Sequence, residues 1–303
     1  MRAVIDWVEQ QLELAQGEAR RLFHGRGGCF AGYEWLVVDW LPPVVVVRAY
    51  QAESPDSVGE LLDWLRQREE VQAVVWQPRT RQSEEGEGVR LLWGELPEQH
   101  QVREAGLAYR VDCLARQNSG LFLDMRPGRA WVRERAQGAK VLNLFAYTCA
   151  FSVAAAAGGA ASVVNVDMSS RSLSRGRDNH RLNELDSVDV RYLAVNLLKS
   201  WGKLRKLGPY DLVIVDPPSF QPGSFVAEKD YLKVLKRLPE LTAAGGRVLL
   251  CHNDPRETRL FVETLMTEQA PQFRLEGYLG AGEDFPDQNE SGGLKVFVYQ
   301  RQE

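Results

Sequence analysis

Metal ligands and disulfide partners are scarce in this chain. Its 303 residues hold four cysteines, Cys29, Cys113, Cys149 and Cys251, and four histidines, His24, His100, His180 and His252. None of them shows the close pairing that a zinc site or a disulfide framework needs. The expectation is a metal-free protein with reduced thiols, as in the cytoplasm. No run of about 18 apolar residues occurs, so no membrane span is expected. Asp6 stands where a secretion signal would have its apolar centre. Lysine is missing from residues 1–115, which carry twelve arginines against nineteen acids, a balance of −7; the remainder balances at +3. That excludes a uniformly basic nucleic-acid binder and leaves room for a basic face on the second half.

The chain is 44% hydrophobic and 26% charged, enough to bury a large core, and its length suggests two domains. Residues 1–22 have helical spacing, with Val4, Val8, Leu12 and Ala15 on one face. Leu22 to Gly28 then reads as a helix stop and loop, or as glycines approaching a phosphate. Residues 35–112 predict a small α+β unit. Its strands are 35–38, 44–47, 71–76 and 90–93, with a helix capped by Ser57 and an acidic loop from Ser83 to Gly88. Leu107 to Cys113 alternates like a strand, and a turn at 117–120 marks the hinge. The division is therefore 1–113, a recognition or scaffold domain, and 114–303.

From Lys140 strands alternate with helices. Strands are expected at 141–145, 162–166, 188–193, 212–215 and 248–251, with helices near 150–157, 169–183, 228–240 and 256–268. A last pair, 273–278 and 296–299, has no helix between its members. The fold class is α/β: a doubly wound, mostly parallel sheet with an antiparallel edge strand, preceded by the small α+β domain.

Ligands of such sheets bind at the carboxyl ends of the strands. The first strand ends at Asn143-Leu144-Phe145-Ala146-Tyr147-Thr148, without the three spaced glycines that seat a pyrophosphate. The second ends at Asp167, placed to hold a ribose diol or to cap the next helix. The third leads to Asn196, whose amide suits an adenine edge. The fourth, Leu212 to Val215, stops at Asp216-Pro217-Pro218-Ser219-Phe220. Its carboxylate, fixed carbonyls and aromatic ring suit a planar nitrogenous group; the plainer reading is a Pro-Pro turn with a core Phe.

Four segments occur in order: Gly120-Leu121-Phe122-Leu123-Asp124-Met125-Arg126, Asn143 to Thr148, Val166-Asp167-Met168-Ser169 and Asp216 to Phe220. Together they closely resemble the S-adenosylmethionine-dependent methyltransferases that modify bases of large-subunit ribosomal RNA, of the 5-methylcytosine and 7-methylguanine branches. The resemblance covers roughly residues 104–303 and implies a class I methyltransferase sheet, S-adenosylmethionine as cofactor and RNA as partner. It further implies that Asp167 and Met168 lie at the cofactor ribose, and that Asn196 faces the adenine. Phe122, Asp124, Arg126, Asn143, Phe145, Tyr147 and Thr148 would surround the methionine part, with Asp216 bordering it. Asp216, Pro217, Pro218 and Phe220 would hold the target base.

In-line transfer to a ring or exocyclic nitrogen needs mainly positioning and desolvation. The cytosine branch needs a cysteine nucleophile near the end of the fifth strand. Asn253 takes that place here, and Cys251 falls two residues earlier, inside the strand. Arg126, Arg129, Arg133, Arg175, Arg177, Lys199, Lys203, Arg205 and Lys206 are candidates for a track along the RNA backbone. Competing readings are covalent 5-methylcytosine formation, N-methylation of a protein or small molecule, and a non-catalytic RNA-binding protein with this fold. A dehydrogenase is disfavoured by the missing glycines.

Overall fold

A computed structural model describes residues 1–80, 88–116, 118–218, 220–221, 225–254, 257–289 and 293–303. Most of the expected acidic loop (residues 81–87), Gln117, Ser219 and the side chain of Phe220 lie outside these. The chain divides into two compact units: Met1–Asp124 with Ala281–Asn289, and Met125–Gly280 with Glu290–Glu303.

The first unit opens with helix α1 (Arg2–Ala15), which buries Val4, Ile5, Val8 and Ala15. The helix is shorter than its apolar spacing predicts. Gln16 takes a left-handed conformation at φ 48° and Gly17 follows at φ 80°, so the chain turns. Residues 20–22, expected as the end of the helix, and 23–24, expected as loop, form strand β1 (Arg20–His24), which pairs with β2 (Leu36–Leu41). Strand β3 (Val44–Ala49), helix α2 (Gly59–Arg66), β4 (Ala73–Pro78) and β5 (Arg90–Gly94) complete a five-stranded sheet in sequence order. Only β3 and β4 run parallel, because α2 carries the chain back between them. A hairpin, β6 (Gln101–Glu104) and β7 (Leu107–Arg110), follows.

Alternation gives this sheet two different faces. Leu36, Val38, Trp40, Val45, Val47, Ala49, Val74 and Trp76 pack against α1 and α2 in one apolar cluster. The opposite face carries Asp39, Arg48 and Gln77, all buried. The glycine-rich segment after β1 is a short 3₁₀ turn whose glycines are packed against backbone. A Cβ on Gly25 would sit 1.8 Å from the Tyr33 carbonyl oxygen, and one on Gly27 would sit 1.9 Å from that of Pro286. These glycines let backbone meet backbone.

The second unit begins with α3 (Arg126–Arg135) and β8 (Lys140–Leu144). Then follow α4 (Ala150–Ala157), β9 (Ser162–Asp167), α5 (Ser170–Leu182), β10 (Asp189–Ala194), α6 (Trp201–Leu207) and β11 (Tyr210–Val215). Two antiparallel strands of two residues each, β12 (Phe220–Gln221) and β13 (Phe225–Val226), precede α7 (Ala227–Leu235) and α8 (Leu238–Leu241). Strand β14 (Thr242–His252), α9 (Arg259–Gln269), β15 (Phe273–Leu279) and β16 (Lys295–Arg301) close the chain. The sheet order is β10-β9-β8-β11-β14-β16-β15. The first five strands are parallel, and β16 inserts antiparallel between β14 and β15. The central strands bury both faces, one against Tyr231, Leu235, Val262 and Met266, the other against Trp131, Val132, Phe151 and Ala155.

Candidate active site

The strand register brings the carboxyl ends of β8, β9, β10 and β11 level with one another. Val215 lies opposite Leu144, Leu144 opposite Val166, and Asp167 opposite Ala194. Neighbouring strands are about 4.8 Å apart, so the residues after β8, β9, β10 and β11 emerge side by side.

The turn after β8 is strained. Phe145, Tyr147 and Cys149 take left-handed backbones at φ 57°, 46° and 61°. Each costs about 1–2 kcal/mol for a residue with a Cβ. The turn spends its amides internally: Ala146 N–H donates to Val166 O at 3.0 Å, Tyr147 N–H to Asp167 Oδ2 at 2.9 Å, and Cys149 N–H to Ala146 O at 2.7 Å. An amide cradle for a pyrophosphate is therefore not what this turn builds. Helix α5 presses against it at Gly176, where a Cβ would meet Cys149 Sγ at 2.4 Å. The Cys149 thiol is fully buried; burial and the Asp167 charge push its pKa up, which makes it inert packing.

Asp167 is locked from two sides, because its Oδ1 also accepts from Ser169 N–H at 2.8 Å. It is not the cap of α5. That role falls to Ser169, whose Oγ accepts from Ser172 N–H at 3.1 Å. Each carboxylate oxygen keeps a second acceptor site, so a fixed pair of acceptors remains. Asn196 caps a 3₁₀ turn through Oδ1, which accepts from Leu198 N–H at 3.0 Å. Its Nδ2 has no partner among the described residues, so it offers donors. Met168, 44% exposed, stands next to Asp167.

Asn143 is a correction to the sequence expectation. Its amide is buried and donates to Asn165 Oδ1 at 2.9 Å; Asn165 donates to Ser152 Oγ, which meets His180 Nε2 at 3.0 Å. The Asn143 side chain thus braces neighbouring strands, its amide spent inside the sheet. Arg129 is a second correction: it is buried at 3% exposure and cannot join a surface track. Arg205 pairs with Glu240, and Arg177 stacks on Tyr192 at 4.5 Å. Phe122 and Asp124 belong to the first unit, where Phe122 is exposed and Asp124 sits in a 3₁₀ turn; Arg126 opens α3 of the second.

Asp216 follows β11 half-buried, with Pro217 buried behind it. Its charge reaches Tyr231, whose phenol burial and the neighbouring Cys251, Tyr299 and Asp216 hold far above its ordinary pKa. The Tyr231 hydroxyl donates to the Cys251 carbonyl at 3.0 Å. Cys251 itself is 1% exposed and packs among Leu249, Val296 and Val298. His252 closes the fifth strand. Burial and Lys295 lower its pKa to about 4, so the ring is neutral near pH 7; its Nε2 is buried without a partner among the described residues. A polar hollow of about 410 Å³ lies at the opposite strand ends, lined by Arg135, Asp211, Gly245 and Arg247 among others. Asp211 there accepts from Lys140 N–H, and Arg247 forks onto Glu276, so it displays no catalytic set.

This strand order with its single inserted antiparallel strand, and acceptors at the ends of β9 and β11, defines a class I methyltransferase. The profile of the S-adenosylmethionine-dependent methyltransferase family matches residues 20–300, and the chain belongs to that family. It is similar to YwbD of Bacillus subtilis, provisionally named a ribosomal RNA large subunit methyltransferase, at 29% identity over 93% of this chain and 74% of that protein. The ribosomal RNA large subunit methyltransferase K/L of Psychrobacter is 37% identical over 51% of this chain, which spans only 20% of that longer protein. Among solved structures, SMU.776, provisionally assigned as a methyltransferase and solved with S-adenosylhomocysteine, superposes at a TM-score of 0.86. It is 26% identical and covers 99% of this chain and 81% of its own. The protein is an S-adenosylmethionine-dependent methyltransferase. The residues fit that cofactor: a fixed carboxylate and an amide donor stand at adjacent strand ends, beside a turn that asks for no phosphate.

Proposed function

We propose that this enzyme methylates a nitrogen of a base in RNA, with ribosomal RNA of the large subunit as the substrate class. The names of YwbD and the K/L proteins support the RNA substrate. The observation that carries the reading is the placement of Asp216-Pro217-Pro218 at the end of β11, in register with β8 and two strands from Asp167.

S-adenosylmethionine supplies an activated methyl group on a sulfonium. Asp167 holds the ribose hydroxyls with its two remaining acceptor sites, and Asn196 Nδ2 donates to an adenine ring nitrogen. Phe145, Tyr147 and Thr148 shape the floor. Asp216 and the Pro217 carbonyl would accept N–H bonds from the target base and so fix its orientation. The carboxylate offsets the positive charge that develops on the base.

A carbon-methylating route through Cys251 is disfavoured by the burial of that thiol inside the sheet. The test is transfer of labelled methyl to purified large-subunit RNA, followed by mapping of the modified nucleotide. Transfer to protein in place of RNA would overturn the substrate; label on a pyrimidine carbon would overturn the nitrogen.

A further inference from the structure

The first unit is acidic by count, yet four of its arginines share one patch. Across the polar face of its sheet, Asp39 bonds both Arg21 on β1 and Arg48 on β3, and Arg48 Nε donates to Gln77 Oε1 on β4 at 2.5 Å. Gln77 is fixed in turn by a bond to the Ala115 carbonyl. This buried ladder spans four strands and holds two guanidinium groups on one carboxylate. Just beyond the ends of β1 and β3, the Arg26 guanidinium lies over the Tyr50 ring at 4.1 Å. Arg79, next along from β4, donates to the Arg116 carbonyl.

The resulting field is positive. Tyr50 is held below its ordinary pKa although burial alone would raise it, because Arg26, Arg48, Arg79 and Arg21 surround it. His24 is driven down to about 3 by burial with Arg21 and Arg26. Asp39, Asp124 and Asp284 do not cancel four guanidinium groups. Arg26 is exposed and has no carboxylate partner among the described residues, and the Tyr50 hydroxyl has no hydrogen-bond partner among them. A guanidinium fork stacked on a ring, beside a phenol donor in a positive field, suits a tetrahedral oxyanion.

We propose that Arg26 and Tyr50, carried by the Arg21–Asp39–Arg48–Gln77 ladder, seat a backbone phosphate of the RNA substrate. This rests on the RNA reading above.

The test uses the full chain and a large-subunit RNA transcript, with the dissociation constant measured at several salt concentrations. Arg26→Ala should weaken RNA binding about tenfold and flatten the plot of log affinity against log salt by roughly 0.7–0.9, the loss of one phosphate contact. Arg26→Lys should restore the slope and only part of the affinity, because the charge returns without the fork. Tyr50→Phe should weaken binding a few-fold at unchanged slope. Cofactor affinity by calorimetry and the melting temperature should stay constant in all three. Unchanged affinity and slope in Arg26→Ala would overturn the seat. So would an Arg26 dependence confined to inorganic phosphate, or to polyglutamate as an acidic polypeptide. Wild-type protein that binds RNA with an Arg26-dependent slope but transfers no methyl to it would sink the proposed reaction and support the seat.

Discussion

At the scale of single residues, the two carboxylates at the strand ends separate by what they touch. Asp167 is bonded by the amides of Tyr147 and Ser169 and so serves both the turn and the cofactor. Asp167→Ala should weaken cofactor binding by roughly 10- to 100-fold, as expected for losing charge-assisted bonds of about 1.5–3 kcal/mol; calorimetry with S-adenosylhomocysteine reads this directly. Asp216→Ala should leave that affinity near wild type and lower methyl transfer by about 10²–10³, the loss typical of a removed charge-stabilising group. Equal activity would remove it from the base clamp. Cys251→Ser should keep most activity, since the thiol packs inside the sheet and its carbonyl, not its sulfur, takes the Tyr231 bond. Total loss in a folded Cys251→Ser variant would reopen covalent chemistry.

At the scale of elements, the contact between α5 and the turn after β8 links fold to function. Gly176→Ala would drive a methyl group onto Cys149, at a cost of about 1–3 kcal/mol for overpacking, and should weaken cofactor binding as the turn shifts. Adding Cys149→Ala should recover part of both losses, read as melting temperature and dissociation constant. This turn also shows where sequence reading stops. The missing glycines were visible, and they rightly argued against a pyrophosphate. The three left-handed residues were not, because nothing local in Phe-Ala-Tyr-Thr-Cys favours that backbone; Asp167 and α5 impose it from a distance. The strand-helix alternation after Lys140 was legible because each buried strand is a short apolar run bounded by turn residues. Residues 20–22 read as helix because Leu22 continues the helical spacing of α1 past the break at Gln16. Strand β14 begins at Thr242, before its apolar run, because Thr242 pairs with Tyr210.

For the whole molecule, stability should depend on charges that the composition hides. Asp39 is buried between two guanidinium groups, and Asp39→Ala should cost about 3–5 kcal/mol by leaving both without their counterion. Urea unfolding measures it; a change under 1 kcal/mol would mean that other acids take over. Proximity of Asp39 to both Arg21 and Arg48 requires the register of three strands, which no short window of sequence contains. All four histidines are held below their ordinary pKa of 6.5, chiefly by burial, His252 to about 4 and His24 to about 3. As pH falls, the unfolded chain therefore binds these protons first. Stability is full above about 6.5 and declines as pH drops toward 4. Melting temperatures at pH 7.5, 6 and 5 should fall in that order, and His252→Phe should flatten the decline.

The short stretch 281–289 lies in sequence between the last two strands of the catalytic sheet but packs with the first unit, where Asp284 accepts from Arg21 N–H and Gln288 N–H donates to Gly27 O. The chain therefore crosses from one unit to the other three times. No single breakpoint in the gene can exchange or remove the smaller unit cleanly. A recombinant that inherits only residues 125–303 keeps a nine-residue tongue whose bonding partners stayed with the other parent. The two units are thus bound to be inherited together.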